Sequence, residues 1–103
     1  MSAQQTGLTS VKVSSDKTLV FSGSLTRHSV AKLWSQRKGW SIGSETKVDL
    51  TDVDVIDTAG VAFLLEILKL VGDGKGPLIC IGASEQLKQI ARVSGVESLL
   101  SLS

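Results

Sequence analysis

The sequence predicts a single α/β domain over residues 1–103: one sheet of about four strands, opening with a hairpin and continuing with parallel strands, packed by about three helices. Three observations predict it. Short runs rich in β-branched and apolar residues alternate with runs of helical period, in the order strand, strand, helix, strand, helix, strand, helix. Clusters of glycine and serine punctuate them. At 103 residues the chain can close one hydrophobic core without a metal or disulfide scaffold, and strands joined by helical crossovers run parallel.

Residues 8–13 and 18–22 have strand composition, and the Ser-Ser-Asp-Lys segment 14–17 between them has turn chemistry, so they form the hairpin. Gly23 ends the second strand. Thr26 can cap a helix reaching about Lys38, with Val30, Leu33, Trp34 and Arg37 on one face and the Arg37 stem laid over the core edge. Residues 39–44, with two glycines and two serines, make a loop, and 46–50 a third strand leading into the acidic segment 51–57. A second helix starts near Thr58 and runs to about Val71, where the glycines of 72–76 and Pro77 stop it. A fourth strand follows at 78–81. Ser84 is a simple cap for a third helix, because Leu87 cannot return the reciprocal bond that Glu or Gln would make. Leu87, Ile90, Ala91 and Ser94 share a face of that helix, Gly95 ends it, and a short apolar tail occupies 96–102. Residues 1–7, short and polar, are expected to be flexible.

Composition narrows the function. A net charge of +1 gives no general attraction to nucleic acid. Basic residues dominate 27–47 and Asp49, Asp52, Asp54 and Asp57 follow, a pattern that reads first as ordinary solvated faces and alternatively as two oppositely charged ends of the domain. The first residues lack an apolar stretch of signal-peptide length, and no run approaches the ~18 apolar residues of a membrane span, so the expectation is a soluble cytoplasmic protein. Cys80 lies in the apolar run Leu78-Ile79-Cys80-Ile81 and reads as a buried structural thiol.

Candidate catalytic groups do not assemble. The aspartates between 49 and 57 lack the spacing and central glycine of a calcium loop, and the 72–76 glycines precede a strand where a phosphate cradle precedes a helix. His28 has no nucleophile or carboxylate at a telling spacing and is expected on the surface. Trp34 and Trp40 most simply pack against the core and its edge, although Trp40, in a basic-flanked loop, could serve a contact surface. A small metal-dependent enzyme built on Asp54 or Asp57 is the remaining catalytic alternative; otherwise no catalytic residue, metal or cofactor is expected.

The informative element is the second helix. On a wheel of about 100° per residue, Val61, Leu64, Leu65, Leu68 and Val71 share the face that should cover the sheet. The opposite side carries Ala59, Phe63 and Leu70, with Ala62 and Ile67 at its edges, and only Glu66 and Lys69 are charged. A helix apolar nearly all round is either sandwiched inside its domain or completes its burial on another molecule. So short a chain has few elements left for a second covering layer, which favours a partner, with Phe63 as the anchor. Weak self-association through the same helix is a further expectation. Thr58 stands where an N-cap belongs. Phosphorylation there would add roughly −1.5 to −2 charge beside Asp54 and Asp57 and weaken apolar docking.

Val48-Asp49-Leu50, the acidic segment, Asp57-Thr58-Ala59-Gly60 and the leucine-rich helix after it resemble the signature of STAS domains, and the likeness spans nearly the whole chain. Ser22-Gly23-Ser24-Leu25 before the first helix agrees with it, and Leu33-Trp34 is similar to the MlaB-like branch that serves bacterial phospholipid-transporting ABC complexes. The resemblance implies a non-catalytic subunit that binds an MlaF-like ATPase and reaches the inner membrane only through that complex. It also implies a partner surface of Thr58, Ala59, Ala62, Phe63, Glu66, Ile67 and Leu70. The alternative within the family is an anti-sigma-factor antagonist phosphorylated at the position of Thr58. Such proteins commonly have serine there and acidic residues where Ser24 and Thr26 stand.

Overall fold

The computed structural model describes residues 10–14, 17–40 and 42–103. The expected flexibility of residues 1–7 and the start of the first strand at 8 and 9 fall outside them. Strand β1 (Ser10–Val13) pairs antiparallel with β2 (Thr18–Leu25), and Ser14 closes the turn by donating to the Thr18 carbonyl at 2.9 Å. Then come α1 (Val30–Ser35), β3 (Lys47–Ile56), α2 (Thr58–Leu68), β4 (Leu78–Ile81), α3 (Glu85–Val93) and β5 (Leu100–Leu102). The sheet order is β1-β2-β3-β4-β5, and every pair after the hairpin is parallel. Because the strands advance steadily across the sheet, crossovers of one hand place all three helices on one face.

That layering explains the burial. Leu19, Phe21 and Leu25 on β2, Val48 and Leu50 on β3, and Leu78 and Cys80 on β4 point into the core, while their alternate neighbours Lys47, Ile79 and Ile81 are exposed. From the helix side Leu33, Leu64, Ile67, Leu87 and Ala91 meet them. The buried Cys80 thiol has its pKa pushed up to about 12 by desolvation.

The tail read as apolar supplies β5, a fifth strand: Leu100 is buried, and the Ser103 amide donates to the Cys80 carbonyl at 3.1 Å. Gly23, at φ 91°, does not end β2 but sits at a register shift, so the strand continues to Leu25 and β3 runs through the acidic segment to Ile56. Helix α1 is shorter than the spacing predicts. Ser29 draws residues 26–29 into a turn, its hydroxyl accepting from the Thr26 amide at 3.0 Å and donating to the Ser24 carbonyl at 2.8 Å. Such local side-chain bonds compete with the helix, which begins only at Val30, and Arg37–Gly39 forms a separate 3₁₀ turn. Helix α2 likewise stops at Leu68, short of Val71, its last turn tightening before Gly72 at φ 60°. Ser84 caps α3 as expected, accepting from the Leu87 amide at 3.2 Å.

Trp40 is buried rather than offered at a contact surface. It joins Phe21, Trp34 and Phe63 in edge-to-face contacts with ring centroids 5.5 to 6.3 Å apart. Among the described residues, no helix is long and apolar enough to cross a membrane.

Candidate partner-binding face

Asp57 organises the start of α2. Its extended backbone (φ −125°, ψ −171°) suits an N-cap, and Oδ1 accepts the Gly60 amide at 3.0 Å while Oδ2 accepts the Arg27 amide at 3.1 Å. One carboxylate thus caps the helix and pins the β2–α1 loop beside it. Gly60 makes the approach possible: a Cβ there would overlap the Leu25 carbonyl oxygen and come within 2.7 Å of Ile56 Cγ1. Thr58 is therefore not the cap. It occupies the first helical position, exposed, with no hydrogen bond to its hydroxyl among the described residues.

The buried arc of α2 is rotated by roughly 60° from the one that periodicity predicts. Phe63 is 4% exposed and Ile67 fully buried, whereas Leu65 and Val71 are only half-buried. The physical cause is the aromatic cluster: Trp34 from α1 and Trp40 from the following turn close over Phe63 and draw that side of the helix inward. Phe63 and Ile67, placed on the outward side by the wheel, are core residues and cannot anchor a partner by direct exposure. Thr58, Ala62 and Glu66 form the exposed stripe, with half-buried Ala59 beside it. Leu70, 43% exposed, follows the end of the helix, about 18 Å from Thr58 along the axis, and belongs to a different part of the surface.

A shallow groove of 410 Å³ runs between α1 and α2. Val30, Ala31 and Trp34 form one wall, Ala59, Ala62 and Glu66 the other, Phe63 also lines it, and the lining is almost wholly apolar. The Arg37 guanidinium stacks 4.6 Å from the Trp34 ring centre and donates to the Trp34 carbonyl at 3.0 Å, holding the indole in place. On the other side of α2, Thr58 meets Gln89, Ile90, Val93 and Ser94 of the α3 segment around a cleft of 270 Å³. Val93 is 88% exposed there. The α1 wall and Val93 were absent from the predicted surface, yet both had a signal. Ala31 lies off the predicted inward face of α1, and Val93 is an apolar residue outside the Leu87, Ile90, Ala91, Ser94 face.

Glu66 pairs with Lys69 at 3.1 Å, but both are solvated and the pair adds little. Asp49, Asp52 and Asp54 spread along β3, and no three metal-ligating side chains gather among the described residues.

The architecture is two layers, one five-stranded sheet and the helices on it, with the capped start of α2 held against the β2–α1 corner. The chain belongs to the STAS family: the family model described as "Mlab, STAS domain" matches residues 9–101. STAS domains are in general non-catalytic binding and regulatory domains. Among solved structures it is similar to the anti-sigma factor antagonist SpoIIAA in its unphosphorylated form, at 15% identity over 82% of each chain with a TM-score of 0.60. It is also similar to the Bacillus cell fate determinant SpoIIAA in the phosphorylated form, at 17% identity over 93% of this chain and 91% of that one, with a TM-score of 0.59. At such identities the likeness shows the shared fold. No curated protein matches the chain with significance.

Proposed function

We propose that the chain is a non-catalytic adaptor that binds the cytoplasmic, MlaF-like ATPase of a bacterial phospholipid-transporting ABC complex and supports its assembly or activity. The match to the MlaB-labelled family model over residues 9–101 carries this reading. The face through which it acts is the stripe Thr58, Ala59, Ala62 and Glu66 with the adjoining α1 groove. The small side chains of Ala59 and Ala62 let a partner approach the helix closely, and the Thr58 hydroxyl can be covered where the partner supplies a hydrogen bond to it. The protein is cytoplasmic and reaches the membrane only through its partner.

The test is titration of the purified domain into the ATPase by calorimetry, beside Thr58→Glu and Ala62→Arg. Binding by the wild type and at least a ~10-fold loss in each variant, about 1.4 kcal/mol, is expected. No binding to the ATPase, or equal binding by all three proteins, refutes the reading.

A second reading, a phosphorylation-controlled anti-sigma-factor antagonist, is favoured by one observation: the Thr58 hydroxyl is accessible and is not used as a helix cap. Capture of a kinase-like anti-sigma factor, with phosphate transfer to Thr58, would put it first.

A further inference from the structure

We propose that the uncovered face of the sheet is a self-complementary surface through which two copies of this chain associate back to back. The helices cover one face only. On the other, Lys47 is exposed and Asp49 half-buried on β3, while Ile79 and Ile81 of β4 are 44% and 39% exposed although they alternate with buried Leu78 and Cys80. Val48 is in register with Cys80 and Asp49 with Ile81, so Lys47 and Ile79 form the next row of the same face two residues earlier.

A twofold axis lying between two such faces, across the strands at the level of Val48 and Cys80, reverses the strand direction of the second copy. It sets the 47 and 79 row of one copy over the 49 and 81 row of the other. Lys47 of each copy then meets Asp49 of the other, and Ile79 meets Ile81, each contact made twice. The arrangement is aligned sheet-on-sheet packing at a spacing of about 10 Å. Among the described residues Lys47 takes part in no ion pair, and Asp49 uses only Oδ1, accepting the Thr51 amide at 2.9 Å. Cation and anion are thus both present on one face, at the offset that a second copy inverts. An unrelated protein would have to reproduce that pattern, which is why the occupant is a second copy.

The face is small. Five strands about 4.8 Å apart, over four or five residues of about 3.3 Å, give a face of roughly 350 Å² per copy, under half of the ~800 Å² in a standard interface. The association is accordingly of the weak, reversible kind. Back-to-back pairing leaves the helix layer of each copy outward, so α2 stays open on both sides of the dimer. The surface is independent of the ATPase reading.

Sedimentation equilibrium of the full chain from about 0.02 to 2 mM tests it, a range in which a weak dimer is populated. The expected average mass climbs from monomer towards dimer. Lys47→Asp and Asp49→Lys should each weaken association at least ~10-fold by opposing like charges, the double exchange Lys47→Asp/Asp49→Lys should restore it, and Ile81→Glu should abolish it. Circular dichroism checks that each variant is folded, which their exposed positions favour. A wild type that stays monomeric throughout overturns the proposal. So does a dimer that survives Ile81→Glu but is lost in Ala62→Arg, since that one would form through α2.

Discussion

Asp57 and Gly60 do more at the site than Thr58 between them, and each acts through a contact that can be removed. Asp57→Ala strips α2 of its cap and frees the Arg27 amide, for an expected loss of about 1–2 kcal/mol in urea unfolding. Gly60→Ala drives a methyl group into the Leu25 carbonyl, which cannot retreat without moving β2, and should cost about 2–3 kcal/mol. Cys80 gives a pH test. Its folded pKa of about 12 lies above the ordinary 9.0, so the unfolded thiol ionises first and stability is intact below about pH 9 and falls as pH rises towards 12. At pH 10 the loss from this group should be on the order of 1 kcal/mol, and a Cys80→Ala variant should show a flatter decline between about pH 8.5 and 10.5.

At the scale of elements, α2 serves two purposes that a simple two-faced helix would separate. Its inward arc builds the aromatic cluster, and its outward stripe of Thr58, Ala62 and Glu66 is the surface proposed for a partner. Phe63→Ala should therefore destabilise the fold by about 3–5 kcal/mol, seen as a lowered melting temperature, while Ala62→Arg should leave melting almost unchanged and act only on binding. A melting temperature indifferent to Phe63→Ala would contradict the rotated arc. Helix α1, only six residues long, contributes the other wall of the groove through Trp34, steadied by Arg37 on one side and Phe63 on the other.

For the molecule as a whole, the steady strand order commits all helices to one side, leaving the sheet one dry face and one wet one. The fifth strand protects the end of that core. Leu100→Ala should cost about 2–3 kcal/mol and lower the melting temperature by roughly 10–20 °C, because β5 covers Leu78 and Cys80 at the sheet edge.

The sequence by itself determined the class of fold, the hairpin, the parallel strands, the simple cap of α3 and the family, since these rest on local periodicity, turn chemistry and a contiguous motif. It also singled out the start of α2. Which face of α2 is free was decided only by the tertiary structure. A helical wheel ranks residues by spacing, but Phe63 is buried because Trp34 and Trp40, 29 and 23 residues earlier, fold over it. The sequence places the cap at Thr58, and the structure gives it to Asp57, whose carboxylate reaches both the Gly60 and the Arg27 amides. The length of β3 and the existence of β5 were settled in the same way, by strand partners distant in sequence. Long-range contact is what a local pattern cannot encode, and it is here that the buried core was separated from the surface left for binding.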